Sequence, residues 1–172
     1  MESCGGSQYW ARDLQKLGHH VKLLKGKFVK AFVMGNKNDV MDARAIWMAV
    51  QQPVKSIAVK SEEQQAILGL HRMRQQLVKF RIAQINALHG LLLECGETTH
   101  KGRTALAKDV PEALERLKKQ LPNYLIIIIK EQYYRIFELD DEINSIDQQL
   151  MVVAKQNETC RRLLKIQLLQ PQ

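Results

Sequence analysis

The sequence predicts a mainly α-helical chain with a small α/β part near its beginning. Two long stretches, residues 61–95 and the part after Pro122, have apolar residues at the spacing of amphipathic helices. Before them, helix-like and strand-like patterns alternate, which is typical of an α/β domain with a parallel sheet. The pattern divides the chain into an α/β part, residues 1–60, and a helical region, residues 61–172.

In the first 60 residues the predicted elements are short. They are a helix over 7–17, a strand over 20–24, a helix over 38–51 and a strand over 56–60. Gly18 and Pro53 favour the ends of the two helices. Two strands do not make a stable parallel sheet, because both faces of such a sheet must be covered. We therefore expect a further strand, upstream of Met1.

The helical region begins at Ser61, a predicted N-cap with acidic residues in the first turn after it. Residues 102–119 predict one or two short helices broken at Pro111, and Pro122 starts the last long helix. Apolar or small residues in that helix recur every seven positions in two seams, interrupted by Asn157. The seams are Ile136, Ile143, Leu150, Asn157 and Leu164, and Leu139, Ile146, Val153 and Cys160. This predicts a coiled coil whose register is set by Asn157. The partner is either the first long helix, in an antiparallel hairpin, or a second chain.

The charge of the chain favours a polyanionic partner. The 172 residues carry a net charge of +8, and residues 1–60 hold ten basic but four acidic side chains. Such an excess favours nucleic acid before a membrane surface, because neutralised phosphates release counterions. The longest apolar run, 125–129, is too short to span a bilayer. Three widely spaced cysteines without a CxxC motif argue for reduced thiols in the cytosol, and against a zinc site or a disulfide framework.

Asp39 and Asp42 are candidate metal ligands. Carboxylates three residues apart lie on one face of a helix, and converging carboxylates bind Mg²⁺ through their oxygens. Such a site can activate water, or a DNA end, for phosphodiester chemistry. The alternative is structural, because Asn38 or Asp39 can cap the helix while Asp42 lies solvated in its first turn. Spacing alone leaves both interpretations open.

Basic residues around these acids are candidate phosphate contacts. They are Lys37 and Arg44 beside the acids, and Lys22, Lys25, Lys27 and Lys30 as a broader surface. No acidic residue occurs between Gly18 and Asn38, which favours a nucleic-acid contact. The alternative is that residues 25–34 form a solvated amphipathic segment.

Three motifs resemble the DEDD-type transposases of bacterial insertion sequences, in the IS-one-ten group. The motifs are MESCGGSQYWAR at 1–12, GNKND at 35–39 followed by DA at 42–43, and VKSEEQQA at 59–66. They occur in the order and at the approximate spacing of that family. The resemblance implies the remnant of a RuvC-like, RNase-H-type nuclease domain, followed by a long helical hairpin or coiled coil.

The resemblance also implies an activity, a cofactor and partners. The family cuts and rejoins DNA with Mg²⁺, and Glu2, Asp39 and Asp42 match its acidic catalytic and metal-binding positions. The family's first aspartate is expected upstream of Met1, and its serine-bearing domain after the last residue. We therefore expect a fragment, truncated at both ends, that is inactive alone. The expected partners are DNA, structured RNA and a second copy held through the long helices, in the cytoplasm at the nucleoid and without a membrane.

Two other functions are consistent with the residues. The heptads alone fit a coiled-coil interaction protein whose basic first part is incidental. The carboxylates also fit an active stand-alone nuclease, whose Mg²⁺-dependent cleavage Asp39→Asn would abolish.

Overall fold

The computed structural model describes residues 1–33, 38–100 and 102–164. These residues are mainly helical with one small parallel sheet, which confirms the predicted fold class. The chain divides into two compact units, Met1–Gln65 and Ala66–Gln172. Within the described residues, no helix combines the length and the apolar character that crossing a membrane requires.

The first unit is built around two very short strands. Its elements are β1 (Glu2–Ser3), α1 (Ser7–Lys16), β2 (Leu24–Lys25), α2 (Gly26–Lys30) and α3 (Asp39–Val50). The two strands are parallel, with Glu2 opposite Leu24, and the amide of Leu24 donates to the carbonyl oxygen of Met1 at 2.9 Å. Gly6 turns the chain from β1 into α1 at a φ of 79°, a conformation that favours glycine.

The two predicted strands of this unit are mostly wrong. Of residues 20–24 only Leu24 lies in a strand, and residues 56–60 contribute a single antiparallel bridge, Ile57 to Leu23. The parallel partner of β2 is Glu2–Ser3 instead, a strand too short for alternation to reveal. The basic segment 25–34 contains the last residue of β2, Lys25, followed by a short helix, Gly26–Lys30.

A small core holds β2, α2 and α3 together. Leu24, Val29, Ala45 and Ala49 are buried at its centre, and Phe32, Val33, Ile46 and Val50 pack against them. The two alanines allow α2 and β2 to approach α3 closely, because a methyl group fills little space. This core positions the first turn of α3, which carries Asp39 and Asp42.

The second unit contains most of the long helices. The helices are α4 (Glu62–Glu94, which starts in the first unit), α5 (Arg103–Leu117), α6 (Asn123–Gln156) and α7 (Glu158–Leu164). Ser61 caps α4 as predicted, since its Oγ accepts from the amide of Gln64 while the Gln64 side chain accepts from the amide of Ser61, both at 3.1 Å. The core of this unit joins α4, α5 and α6. Its largest fully buried residues are Leu88, Leu92, Leu106, Val110, Leu117, Ile129 and Ile136.

Helices α4 and α6 pair in an antiparallel hairpin within one chain. Arg81 binds Asp140 at 2.6 Å, and seven residues away on each helix Arg74 binds Asp147 through two hydrogen bonds. Residue numbers therefore rise along α4 where they fall along α6, which means that the two helices are antiparallel. Of the two pairings that the sequence left open, the hairpin is formed, whereas the knobs-into-holes packing of a coiled coil stays a prediction.

Helix α5 continues through Pro111, so the predicted break there is wrong. Proline has no N–H to donate to the carbonyl four residues earlier, which is that of Ala107. The hydroxyl of Tyr133, on α6, donates to this carbonyl oxygen at 3.0 Å. A neighbouring helix thus satisfies the acceptor that the proline leaves without its helical partner.

The last helix is interrupted at Asn157, which does not act as a residue inside a continuous seam. Helix α6 ends at Gln156, and Asn157 has an extended backbone with φ −88° and ψ 121°. Its Oδ1 accepts from the amide of Cys160 at 3.1 Å, as an N-cap does for α7. In this structure Asn157 therefore caps α7, whereas the sequence pattern predicted that it sets the register of a coiled coil.

Candidate nucleic-acid interface and acidic site

The three predicted acidic site residues lie on two elements of the first unit. Glu2 is on β1 and is half-buried, Asp39 is the exposed first residue of α3, and Asp42 is half-buried one turn later. Strand β1 pairs with β2, which leads directly into α2, and α2 packs against α3. The acids are thus brought into one small unit, although Glu2 and the two aspartates are far apart in sequence.

The Glu2 carboxylate lies against Gly26. A Cβ atom built on Gly26 would be 2.5 Å from Glu2 Oε1, so the carboxylate occupies the space that a side chain at position 26 would take. A larger residue there would move the end of the Glu2 side chain. No sequence pattern connects these two residues, because only the pairing of β1 with β2 brings them together.

The first turn of α3 is capped by Asn38. Its Oδ1 accepts from the amide of Met41 at 2.9 Å, and its carbonyl oxygen accepts from the amide of Asp42, also at 2.9 Å. The capping alternative is therefore confirmed for Asn38. Asp39 and Asp42 follow the cap, where their negative charge is favourable to the helix dipole. Neither carboxylate is needed to cap the helix.

The donor chemistry of these residues suits Mg²⁺, which prefers carboxylate oxygens. Across residues 1–33, 38–100 and 102–164, however, no three His, Cys, Asp or Glu side chains come close enough together to hold a metal ion. The carboxylates of Glu2, Asp39 and Asp42 lie on two elements of the same unit and do not converge as a triplet. Their assignment as metal ligands stays a prediction.

A set of exposed cations, which we call the basic surface, lies in the same unit. It consists of Lys22, Lys25, Lys27, Lys30 and Arg44. Among the residues that the structure describes, none of these five makes an ion pair with a carboxylate. The Lys27 ammonium lies over the ring of Phe28, 5.1 Å from its centroid. The sixth predicted cation, Lys37, lies outside the described residues.

Other cations of the unit are used in internal contacts that sequence reasoning missed. Arg12 Nη1 donates to the carbonyl oxygen of Lys60 at 3.0 Å and to Gln65 Oε1 at 2.8 Å. Gln8 Oε1 accepts from the amide of Lys60 at 2.7 Å. Helix α1 is thereby tied to the residues that lead into α4. This contact joins two of the three motifs, and it gives Gln8 and Arg12 a structural role.

A family model described as a transposase, of the IS110 DEDD type, matches residues 1–96. The chain belongs to the IS110 family of DEDD transposases. The matched range includes Glu2, Asp39, Asp42 and every residue of the basic surface.

Named relatives of the chain agree with the family. It is 37% identical over 169 residues to the transposase for insertion sequence element IS1328 of Yersinia enterocolitica, covering 96% of this chain and 49% of that protein. It is 36% identical to a probable family 20 transposase of Pseudomonas aeruginosa, covering 97% and 50%. The transposase for IS1111A of Coxiella burnetii is 34% identical, covering 96% and 46%. The chain thus spans about half the length of these curated relatives. No solved structure matches it.

Proposed function

We propose that this transposase chain acts in the transposition of an insertion sequence by binding DNA through its basic surface. In this proposal Glu2, Asp39 and Asp42, which do not converge as a triplet in the described residues, contribute carboxylate ligands for Mg²⁺ together with phosphate oxygens of the DNA, at the place where the DNA is cut and rejoined. Membership of a transposase family, and relatives named for insertion sequence elements, support the proposal.

DNA binding is supported mainly by a difference between two groups of cations in the first unit. Arg12 and Lys16 are near Glu62, at 4.0 and 3.9 Å, and Lys16 is 3.6 Å from Asp13. The five cations of the basic surface are exposed and have no such partner among the described residues. Cations without an internal counter-charge can neutralise phosphates and release the counterions of DNA.

The carboxylates have a separate task in this proposal. Asp39 and Asp42 are held at the start of α3 by the Asn38 cap and by the core under that helix, while Glu2 is held by the pairing of β1 with β2. Bound Mg²⁺ would supply Lewis-acid polarisation of a phosphodiester. The nearby lysines would balance the negative charge that the acids and the phosphates bring together.

The DNA-binding part is tested by the salt dependence of affinity. Fluorescence anisotropy with a labelled duplex, repeated at several salt concentrations, gives the slope of log affinity against log salt. The variant Lys27→Ala/Lys30→Ala removes two phosphate contacts, so the slope should become shallower by about 1.8. The matched control is Lys16→Ala/Lys118→Ala, which removes two lysines that already contact Asp13 and Glu115. The control should keep the original slope.

Two results would contradict the assignment. One is an affinity that does not depend on salt, and the other is a slope that the Lys27→Ala/Lys30→Ala variant leaves as steep as in the original chain. Either result would favour the second candidate function, an interaction protein. That alternative is supported by apolar side chains on the long helices, since Phe80 on α4 and Tyr134 on α6 are 53% and 51% exposed.

The proposal includes two further partners. A second copy of the chain would cover part of these exposed apolar side chains, and sedimentation velocity over a range of concentrations measures such self-association. Structured RNA offers the same phosphates as DNA, and the same anisotropy titration with a folded RNA compares the two polyanions.

A further inference from the structure

Helix α3 has an exposed face with an unusual composition. Val40 is 76% exposed and Trp47 is 64% exposed, and Arg44 lies between them, also exposed. Positions i, i+4 and i+7 lie on one side of a helix, so the three side chains form a single stripe. The opposite side of α3 is the one buried in the core, through Ala45 and Ala49. The tryptophan therefore contributes little to the packing of the unit.

We propose that this stripe receives an unpaired nucleobase, which stacks on the Trp47 indole while Arg44 contacts the adjoining phosphate. The inference rests on the proposed DNA-binding function and adds a base-contacting site to it. Single exposed apolar residues are common on protein surfaces and need no explanation. Here an indole and a cation without an ion pair lie one turn apart, and aromatic stacking beside a positive charge is how proteins hold single-stranded nucleic acid.

The position of the stripe supports this occupant. With a rise of about 1.5 Å per residue, Trp47 lies roughly 8 Å along the helix axis from Asp42. Residues 1–60 hold ten basic and four acidic side chains, a charge that complements a polynucleotide.

Tryptophan fluorescence tests the inference on the full chain. The chain has two tryptophans, so Trp10→Phe leaves Trp47 as the only one. This variant is titrated with an unstructured single-stranded DNA oligonucleotide, with the corresponding RNA, and with an abasic strand of the same length. The abasic strand offers the same phosphates but no base to stack. The expected result is quenching of Trp47 by one or both base-bearing strands, and little quenching by the abasic strand.

Affinity gives a second and independent readout. Trp47→Leu should weaken binding of the base-bearing strand roughly 5- to 150-fold, the range for one lost base stack, and leave the abasic strand unaffected. Trp10→Phe is the matched control, because Trp10 is also exposed, at 57%, but lies on α1. It should keep the original affinity. If Trp47→Leu does not fold, as judged by circular dichroism, Trp47→Phe replaces it, and the titration of the Trp10→Phe chain decides.

Three results would overturn the inference. The first is equal quenching by abasic and base-bearing strands, and the second is unchanged affinity in Trp47→Leu. The third is an emission that already shows a buried indole in the free protein and shifts on dilution, which would assign the stripe to a second copy of the chain. In each of these cases the proposed function would still stand if Lys27→Ala/Lys30→Ala made the salt dependence of duplex binding shallower. Duplex binding that did not depend on salt would instead mean that the proposed function had failed.

Discussion

The hydroxyl of Tyr133 should matter for stability because Pro111 leaves a backbone carbonyl without its helical donor. Tyr133 is 9% exposed and donates to the carbonyl oxygen of Ala107 at 3.0 Å. We predict that Tyr133→Phe destabilises this chain more than it destabilises a Pro111→Ala variant. In that variant the amide of residue 111 is free to donate to the Ala107 carbonyl, as in a regular helix.

The magnitudes follow from the cost of an acceptor without a donor. In the original chain, Tyr133→Phe should lower the free energy of unfolding by about 1.5 kcal/mol, within the range for a buried polar group that loses its partner. In the Pro111→Ala background the loss should fall to about 0.5 kcal/mol, because the carbonyl keeps a partner. The two changes should therefore couple by about 1 kcal/mol, which is measurable in a double-mutant cycle.

The assay is urea denaturation of the four chains of the cycle, followed by the circular dichroism of the helices. Tyr134→Phe is the matched control, because its neighbouring ring is 51% exposed, and it should have almost no effect. Burial raises the pKa of Tyr133, so its hydroxyl stays protonated and able to donate at neutral pH. This contribution to stability is complete below about pH 10, the unfolded pKa, and is lost only at higher pH. Equal losses in the two backgrounds would refute the capping of the Ala107 carbonyl by Tyr133.

Three further predictions concern helix ends and the hairpin. Ser61→Ala removes the acceptor for the Gln64 amide and should lower stability by about 1 kcal/mol, with faster hydrogen exchange in the first turn of α4. Asn157→Ala should increase hydrogen exchange in α7 without changing the oligomeric state, whereas a register-setting asparagine would change that state. The hydrogen bonds and charge of Arg74 lower the pKa of Asp147, so this pair stabilises the fold at pH values above about 3.9, the unfolded pKa. That stability is lost as the pH falls through the lowered folded pKa, and Arg74→Ala should remove this part of the acid dependence of urea unfolding.

The long helices could be predicted because their signals are local. The capping box at Ser61 and the proline at 122 mark the starts of α4 and α6, and the apolar spacing after them extends over many turns. The predictions that were wrong concern elements whose structure depends on a residue far away in the sequence. Helix α5 passes Pro111 only because Tyr133, far along the chain, supplies a donor. Strand Glu2–Ser3 is too short to have a period and is defined only by its partner β2.

In the candidate site, too, the features with a local signal could be predicted and the contacts between distant residues could not. The acids could be named from their spacing and the motifs, the basic surface from the excess of positive charge in residues 1–60, and the capping role of Asn38 from its place before α3. The proximity of Glu2 to Gly26 could not be predicted, since it depends on the parallel pairing of two strands. The exposure of Trp47 could not be predicted either. An apolar residue at this position fits the helical pattern of α3 equally well on either face. In the structure Ala45 and Ala49 face the core, and the Trp47 indole is exposed.

Paramagnetic relaxation by Mn²⁺, observed on the backbone amide signals of the full chain, tests most directly whether Glu2, Asp39 and Asp42 share one cation. The predicted result is that low concentrations of Mn²⁺ broaden the signals of β1 and of the first turn of α3 together. Asp42→Asn should then weaken the broadening at both places, whereas the control Asp13→Asn should leave it unchanged. Broadening of the first turn of α3 without β1, or broadening that Asp42→Asn does not alter, would contradict a shared site.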